Sequence, residues 1–297
     1  MNKQPPIFII NLPQGIKRRS LLQQQLLQYK LNATFFAATD GALLKPGVSA
    51  DFKIAQGEKL LSRKLAAGEL GCILSHYFLL KKIVQESIPL AVILEDDAKI
   101  TEDLTCLINN LHQVPSDWDL LHIGYWDTCS TFNSFVGRKT YPLSIWHRSK
   151  VKIPELNRLN ISVAPLIDEV YGTHAYAVTT AGAQNLLQVI EQQPILPFDL
   201  FLHNNKPLLR HFAITPPLCW QNKSLGIEQH ITTTRERVKR KNVPAPPQRL
   251  DKIRAMLSFL ESKEHPLNGF YYALRHLRSS IINTKKVLMP PVMRKRP

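Results

Sequence analysis

The sequence is poor in cysteine and has no long apolar run, and each shortage excludes a class of protein. Its 297 residues include four cysteines, Cys72, Cys106, Cys129 and Cys219. None belongs to a CxxC pair and each lies among apolar residues. We therefore expect free core thiols in a reducing compartment rather than a structural zinc site or a disulfide framework. No apolar run reaches the ~20 residues that span a bilayer.

A secretory leader and internal repeats are also missing from the sequence. The apolar stretch at 7–10 is too short for the core of a signal peptide, and Lys17, Arg18 and Arg19 follow it closely. No segment repeats at a fixed period. From the reduced cysteines and the poor match to a leader we expect a cytoplasmic protein, peripheral on the inner membrane.

Basic residues are concentrated at one end of the chain. The sequence has 38 lysine and arginine residues against 23 acidic ones, a net charge of +15. Residues 1–234 carry +3 of this charge, whereas residues 235–297 carry +12. With 44% hydrophobic and 21% charged residues the chain can bury a core. We predict a near-neutral globular domain over 1–234 and a basic, mainly helical C-terminal extension over 235–297.

The order of the apolar segments predicts an α/β fold. Apolar runs at 6–12 and 33–38 have the pattern of strands, and a helical pattern at 16–30 lies between them. This β-α-β opening is typical of a parallel sheet with helices on its faces. Further strands are predicted at 90–94, 119–124, 171–178 and 213–215, and further helices at 66–87, 102–112 and 180–192. Residues 42–65 and 125–170 have no clean period and predict loops, the second with small strands.

Three consecutive carboxylates follow the apolar strand predicted at 90–94. They are Glu95, Asp96 and Asp97. The like charges of neighbouring carboxylates repel one another, which destabilises the fold unless water or a cation compensates them. Ligands of open α/β sheets bind beyond the carboxyl ends of the strands, and alternation along a strand allows Glu95 and Asp97 to point the same way. A hard divalent ion that bridges carboxylate and diphosphate oxygens suits this pattern; a solvated acidic turn is the alternative.

Several short segments together resemble one known family. They occur in the order of that family over residues 6–225, about three quarters of the chain. They are Ile9-Ile10-Asn11-Leu12 with Arg18-Arg19, Ala37-Ala38-Thr39-Asp40-Gly41, Gly68-Glu69-Leu70-Gly71-Cys72 with Ser75-His76, Ala91-Val92-Ile93-Leu94-Glu95-Asp96-Asp97, Gly172-Thr173-His174-Ala175-Tyr176 with Ala181-Gly182-Ala183, and Pro197-Phe198-Asp199. On these segments the chain resembles glycosyltransferase family 25, of the bacterial lipooligosaccharide galactosyltransferase type. The extension at 235–297 matches no motif of the family.

The resemblance implies a GT-A-like nucleotide-sugar-binding domain, a Rossmann-like mixed sheet flanked by helices. It implies transfer of a hexose, usually galactose, from a UDP-sugar to a lipooligosaccharide or LPS core saccharide, with inversion to a β-linkage. The acidic triplet takes the place of the family's DxD motif, so Asp97 is the leading ligand for Mn²⁺ or Mg²⁺. Glu95 then faces the ribose or the metal's water shell, and Asp96 joins the nucleotide-binding set. The metal neutralises charge on the leaving diphosphate.

Polar residues after the first two predicted strands are candidates for the donor site. Asn11 ends the first strand, where the nucleotide crevice of an α/β sheet is expected. Arg18 or Arg19, near the start of the next helix, suits a diphosphate or a uridine ring, the alternative being a solvated helix face. Asp40, before Gly41, suits a contact with ribose or base, or an Asx turn.

Two carboxylates and two histidines complete the candidate site. Glu69 and His76, seven residues apart on a predicted helix, are placed to face one pocket. The resemblance favours a functional role for His76 over that of a hydrogen-bonded core histidine. Asp199 lies in apolar company that raises a carboxyl pKa, which makes it the leading base for the acceptor hydroxyl; a helix N-cap after Pro197 is the alternative. His174 is a further metal or diphosphate ligand, or else a core histidine.

The charge of the basic extension leaves three interpretations. An amphipathic pattern at 270–282, followed by Lys285-Lys286 and Arg294-Lys295-Arg296, suits anionic headgroups at the cytoplasmic face of the inner membrane, where a lipid-linked acceptor would also lie. Nucleic-acid binding fits the charge, but no recognition motif with base-stacking aromatics is present, so we expect no nucleic-acid partner. The third interpretation is a solvated tail. For the enzyme itself, a metal-dependent nucleotidyltransferase is the alternative.

Overall fold

A computed structural model describes much of the chain up to residue 222. The described residues are 4–44, 52–114, 117–126, 154–159, 161–166 and 171–222. The basic extension at 235–297, Cys129 and most of the loop expected at 125–170 lie outside them. The division of the chain at residue 234 therefore stays a prediction.

The described part of the chain contains nine strands and seven α-helices. The strands are β1 (Ile7–Asn11), β2 (Ala33–Ala37), β3 (Leu90–Glu95), β4 (Ala98–Ile100), β5 (Leu120–Trp126), β6 (Ser162–Pro165), β7 (Tyr171–Thr179), β8 (His211–Thr215) and β9 (Cys219–Gln221). The helices are α1 (Ile16–Gln28), α2 (Ile54–Leu61), α3 (Ala67–Gln85), α4 (Asp103–Asn110), α5 (Pro154–Arg158), α6 (Thr180–Gln192) and α7 (Phe198–Asn204). Among the described residues, none of these helices combines the length and the apolar character that crossing a membrane requires.

The strands belong to one mixed sheet. Its main path runs β2-β1-β3-β7-β5-β8-β6, and β9 connects β5 to the short β4. Strand β1 pairs in parallel with β2 and β3, whereas β7 runs antiparallel between β3 and β5. The parallel pairing of β1 and β2 across α1 confirms the β-α-β opening. The mixed sheet with flanking helices confirms the predicted fold class.

Side-chain alternation along the central strands divides the core into two layers. In β1, Ile7 and Ile9 pack on one face of the sheet with residues of α1 and α4. Phe8 and Ile10 pack on the other face with residues of α3, α6 and α7. A strand that is covered on both faces must be apolar throughout, which explains the continuous apolar runs in the sequence.

Residues 54–61 form helix α2 where the sequence predicted a loop over 42–65, so that part of the prediction is wrong. The loop prediction rested partly on glycine and proline in this stretch, and Gly57 has a different reason for its place in the helix. A Cβ at Gly57 would lie 1.6 Å from the carbonyl oxygen of Ile195. Lys53 forms a β-bridge with Pro194 beside this contact. The glycine is therefore required by the close approach of two backbones, not by a turn.

Candidate active site

A cavity of about 380 Å³ opens at the edge of the sheet where three parallel strands end. Strands β2, β1 and β3 end at this edge, and the segments that follow them line the cavity together with the first turns of α3. The wall includes Leu12, Arg18, Asp40, Gly68, His76 and Asp96. The carboxyl ends of parallel strands are where α/β sheets bind ligands, and the volume lies within the range of small-molecule sites.

Arg18 and Asn11 hold the middle carboxylate of the acidic triplet. Arg18 Nη1 donates to Asp96 Oδ1 over 2.9 Å, and Asn11 Nδ2 donates to Asp96 Oδ2 over 2.8 Å. Asn11 also donates to the carbonyl oxygen of Gly15, the residue before α1. The charge of Asp96 is thus compensated within the protein, and the amide of Asn11 is committed to fixing this carboxylate.

Asp97 differs from its neighbour because it is buried and poorly compensated. Gln221 Nε2 donates to Asp97 Oδ2 over 2.8 Å, and Arg18 Nη1 lies 3.9 Å from the same oxygen. The other oxygen, Oδ1, is buried with no hydrogen-bond partner among the described residues. Burial and the nearby charge of Glu95 raise the pKa of Asp97 to about 7. A carboxylate in such surroundings favours a proton or a cation as its partner.

A second cavity of about 220 Å³ adjoins the first on the side of β7 and α7. Its wall includes Glu69, Thr173, His174, Asp199 and Gln221. Gly68, Cys72 and Glu95 belong to the walls of both cavities. The acidic residue that ends β3 therefore lies between two spaces that can hold two different reactants.

Glu95 is held in place from two sides. The hydroxyl of Thr173 donates to Glu95 Oε1, and His76 Nε2 lies 3.5 Å from the same oxygen. Burial by itself raises the pKa of Glu95, but the interactions with His76 and Thr173 outweigh it, and the net pKa lies below the ordinary value. Glu95 therefore stays ionised at neutral pH.

His76 is buried in α3, and its ring is fixed by contacts on one edge and one face. Its Nδ1 lies 2.9 Å from the hydroxyl oxygen of Tyr176, and its ring stacks on Phe198 with 4.2 Å between the centroids. Its Nε2 is buried with no hydrogen-bond partner among the described residues. Cys72 lies one helical turn earlier, and burial raises the pKa of its thiol well above the ordinary value.

Asp199 lies in the wall of the second cavity, in the first turn of α7. Pro197, not Asp199, is the N-cap residue of this helix. Asp199 Oδ1 accepts a hydrogen bond of 2.8 Å from the backbone N–H of Leu200. Burial raises the pKa of Asp199, which suits a group that accepts a proton near neutral pH.

Glu69 and His76 lie in the same helix, α3, but line different cavities. The carboxylate of Glu69 accepts two hydrogen bonds of 2.7 Å, one from Nη1 and one from Nη2 of Arg63. It also accepts a hydrogen bond from the backbone N–H of Ala66. Glu69 therefore stabilises the N-terminus of α3. Glu69 lines the second cavity and His76 lines the first, so the structure does not bring them to one pocket as the sequence suggested.

The remaining predicted residues also have defined contacts. The Arg19 guanidinium lies 4.4 Å from the centroid of the Phe35 ring, so of the two arginines it is Arg18 that lines the first cavity. Asp40 accepts the backbone N–H of Ala42 over 2.9 Å and caps the short turn at 41–43, as in the Asx alternative, while still lining that cavity. His174 is buried, and its Nε2 lies 3.3 Å from the Cys219 carbonyl oxygen.

Four residues of the site were given no role from the sequence, three of them hydrogen-bonding partners of predicted residues. Thr173, Tyr176 and Gln221 contact residues more than 70 positions away, and no local pattern announces such pairs. Cys72 is different, because its spacing of four residues from His76 places both side chains on one helix face. That spacing was a usable signal.

A comparison with known families identifies the class of protein. Residues 4–202 match the family described as "Glycosyltransferase family 25 (LPS biosynthesis protein)". The chain therefore belongs to glycosyltransferase family 25, which confirms the family expected from its motifs.

Individual proteins are similar to parts of this chain. Procollagen galactosyltransferase 2 of Homo sapiens is 27% identical over 250 residues, which are 77% of this chain and 37% of that protein. Procollagen galactosyltransferase 1 of Danio rerio is 29% identical over 254 residues, 77% of this chain and 38% of that protein. The chain thus spans less than two fifths of the length of these relatives. A crystal structure of a glycosyltransferase involved in the glycosylation of the major capsid of PBCV-1 shares 9% identity, covering 71% of this chain and 82% of that chain, at a TM-score of 0.35.

Proposed function

We propose that this chain is an inverting glycosyltransferase that moves a hexose, galactose, from a UDP-sugar to a lipooligosaccharide or LPS core saccharide. Family membership supports glycosyl transfer, and the names of the two procollagen galactosyltransferases support galactose as the sugar. One observation carries the proposal: two cavities share Glu95 in their walls, one at the strand ends and the other beside Asp199. The first takes the nucleotide and the second takes the acceptor.

The first cavity has the parts that a nucleoside diphosphate requires. The first turn of α3 lines it, and the N-terminus of a 19-residue helix attracts phosphate oxygens. Gly41 and Gly71 bring the segment after β2 against this helix. A Cβ at Gly41 would lie 1.7 Å from the Ala67 carbonyl oxygen, and one at Gly71 would lie 2.6 Å from that of Thr39. Asp40 is then placed for ribose or base.

In the second cavity Asp199 acts as the base. It takes the proton of an acceptor hydroxyl, and the oxygen attacks the anomeric carbon on the face opposite the diphosphate. The bond from that carbon to the diphosphate oxygen breaks, and its electron pair leaves with UDP. Attack opposite the leaving group inverts the anomeric configuration.

The residues present also fit a hard divalent cation, Mn²⁺ or Mg²⁺. Glu95 is ionised in the shared wall, and Asp97 Oδ1 is buried with no hydrogen-bond partner among the described residues. Hard cations take carboxylate oxygens, so these two side chains would hold the ion while Arg18 compensates Asp96. When bound, the ion neutralises charge on the leaving diphosphate. The Nε2 of His174 already contacts the Cys219 carbonyl, which leaves Nδ1 as its ligand atom.

A donor screen tests this function. The full chain is incubated with Mn²⁺, a saccharide acceptor and each of several nucleotide sugars, and the released nucleotide is identified. We expect acceptor-dependent release of UDP, greatest with UDP-galactose. Release of pyrophosphate from a nucleoside triphosphate and a sugar phosphate would instead identify a nucleotidyltransferase, and no release with any donor would contradict the proposal.

For residues 235–297 the proposal places the enzyme on the cytoplasmic face of the inner membrane. The +12 charge of this segment and the amphipathic pattern at 270–282 support attachment to anionic headgroups. We expect salt-sensitive pelleting of the protein with anionic vesicles, lost when the chain is truncated after about residue 265. Tight binding to DNA without vesicle binding would contradict this placement.

A further inference from the structure

Three side chains of different chemistry meet in and beside the wall between the two cavities. The Sγ of Cys72, an imidazole nitrogen of His76 and a carboxylate oxygen of Glu95 all lie within 4.8 Å of one another. Cys72 and His76 are four residues apart on α3 and therefore share one helix face. Glu95 reaches them from the end of β3. The three ligand types thus come from two rigid elements of the fold.

His76 is oriented to offer a nitrogen to this cluster. Its Nδ1 is 2.9 Å from the hydroxyl oxygen of Tyr176, and Phe198 stacks on its ring. A metal ion would require the tautomer in which Nδ1–H donates to that oxygen, because this tautomer leaves the lone pair on Nε2, the nitrogen nearer Glu95. This nitrogen is buried, lies 3.5 Å from Glu95 Oε1 and has no hydrogen-bond partner among the described residues. Donation from the second ring nitrogen to a neighbouring group is the usual arrangement of a metal-bound histidine.

We propose that Cys72, His76 and Glu95 form a binding site for a divalent cation of borderline softness such as Zn²⁺. Thiolate, imidazole and carboxylate are the ligand types that Zn²⁺ takes, and three protein ligands leave a fourth position for water or a substrate oxygen. The cysteine sulfur selects zinc over Mn²⁺ and Mg²⁺, which prefer oxygen. The site is therefore distinct in chemistry from the pair Glu95 and Asp97.

The two cation sites share the carboxylate of Glu95, so both cannot be filled independently. Zinc bound by Cys72 and His76 would also bind Glu95, so this carboxylate would no longer be available to the hard cation. The zinc ion would lie where the two cavities adjoin. Zinc is thus expected to inhibit sugar transfer. This consequence rests on the proposed function, whereas the site itself does not.

Cobalt titration tests the site without using the transferase reaction. The untagged full chain is stripped of metal and titrated with Co²⁺, whose thiolate complexes have a charge-transfer band in the near ultraviolet. We expect the band to rise to one equivalent of Co²⁺ and to disappear when Zn²⁺ is added, because zinc binds such ligands more tightly. Absence of the band from the wild-type protein would overturn the proposal.

Matched cysteine variants assign the band to a residue. Cys72→Ala is expected to abolish it, and Cys106→Ala, which alters a half-buried thiol on α4 outside the cluster, is expected to retain it. His76→Gln is expected to weaken Co²⁺ binding at least tenfold while circular dichroism shows an unchanged fold. A band that survives in Cys72→Ala would overturn the site, whatever the outcome of the donor screen.

Discussion

Arg18 donates a hydrogen bond of 2.9 Å to Asp96, and this ion pair decides which carboxylates of the acidic triplet remain available. Asp96 is compensated by the guanidinium and by the amide of Asn11. Glu95 and Asp97, on either side, have no such partner of opposite fixed charge within hydrogen-bonding distance in the described part of the chain. The sequence alone does not distinguish the three acids, whereas within the part of the fold that the structure describes only Asp96 is paired with an arginine at hydrogen-bonding distance.

The first prediction concerns this ion pair. Arg18→Ala leaves Asp96 short of its charged donor in a partly buried place, and should lower the free energy of unfolding by about 1–3 kcal/mol. Arg19→Ala is the control, because Arg19 stacks on Phe35 and its loss should cost at most about 1 kcal/mol. Urea unfolding of both variants measures the difference. Equal destabilisation would contradict the role given to Arg18.

The second prediction concerns the hard cation. Asp97→Asn keeps an oxygen for Gln221 but removes the charge, so the fold should persist while Mn²⁺-stimulated transfer falls at least about 10²-fold. Asp103→Asn, in the first turn of α4, changes a carboxylate outside the site and should retain the stimulation. Full Mn²⁺-dependent activity of Asp97→Asn would remove Asp97 from the metal site.

The third prediction concerns the close approach of Gly41 to α3. Gly41→Ala forces a Cβ into the Ala67 carbonyl and must move the segment that carries Asp40. We expect a loss of about 1–3 kcal/mol in stability together with weaker UDP binding. Leu43→Ala, at a 78% exposed position of the same turn, should change neither. Unchanged UDP affinity of Gly41→Ala by calorimetry would show that this segment does not form the donor cavity.

The fourth prediction concerns pH and lies outside the active site. His122 Nε2 and His211 Nδ1 are 3.1 Å apart in the core. Burial lowers the pKa of His211 from 6.5 to about 3, and burial likewise lowers that of His122. The unfolded chain therefore binds more protons than the folded one below pH 6.5, so stability falls as the pH drops from 6.5 towards 3. Well below pH 6.5 the slope contributed by His211 approaches about 1.4 kcal/mol per pH unit.

Urea unfolding between pH 7.5 and 5 measures this slope. His211→Gln should make it shallower below pH 6.5, by up to about 1.4 kcal/mol per pH unit at the acid end, because one depressed pKa is removed. His112→Gln, at an exposed position, should leave the slope unchanged. If His211→Gln had the slope of the wild-type protein, the buried pair would not be the cause.

Most of the sheet could be predicted because the signals are local. Strands β1 and β3 are continuous apolar runs, and α3 carries a wide apolar stripe. Strands β4 and β9 could not be predicted, because each has only three residues and forms by pairing with distant segments, β4 with β9 and β9 also with β5. Helix α2 was not predicted because it contains Gly57, a poor helix former. This glycine is required by the close approach of the distant Ile195 backbone.

Some residues of the candidate site could be proposed from the sequence, whereas the contacts that hold them could not. Glu95 and Asp199 follow apolar segments, and the structure places both in the wall of the second cavity. The alternation that suggested a common direction for Glu95 and Asp97 does not apply, because β3 ends at Glu95 and a turn begins. The contacts from Gln221 and Tyr176 depend on how distant strands pair, which no local pattern contains.

If donor and base occupy adjoining cavities, Asp199→Asn should separate nucleotide binding from turnover. UDP affinity and acceptor-dependent UDP release are measured on the same purified variant. We expect UDP affinity within about threefold of the wild-type value and turnover reduced by about 10²–10⁴-fold, the typical contribution of a general base. Normal turnover of Asp199→Asn, or loss of UDP binding together with turnover, would contradict this arrangement.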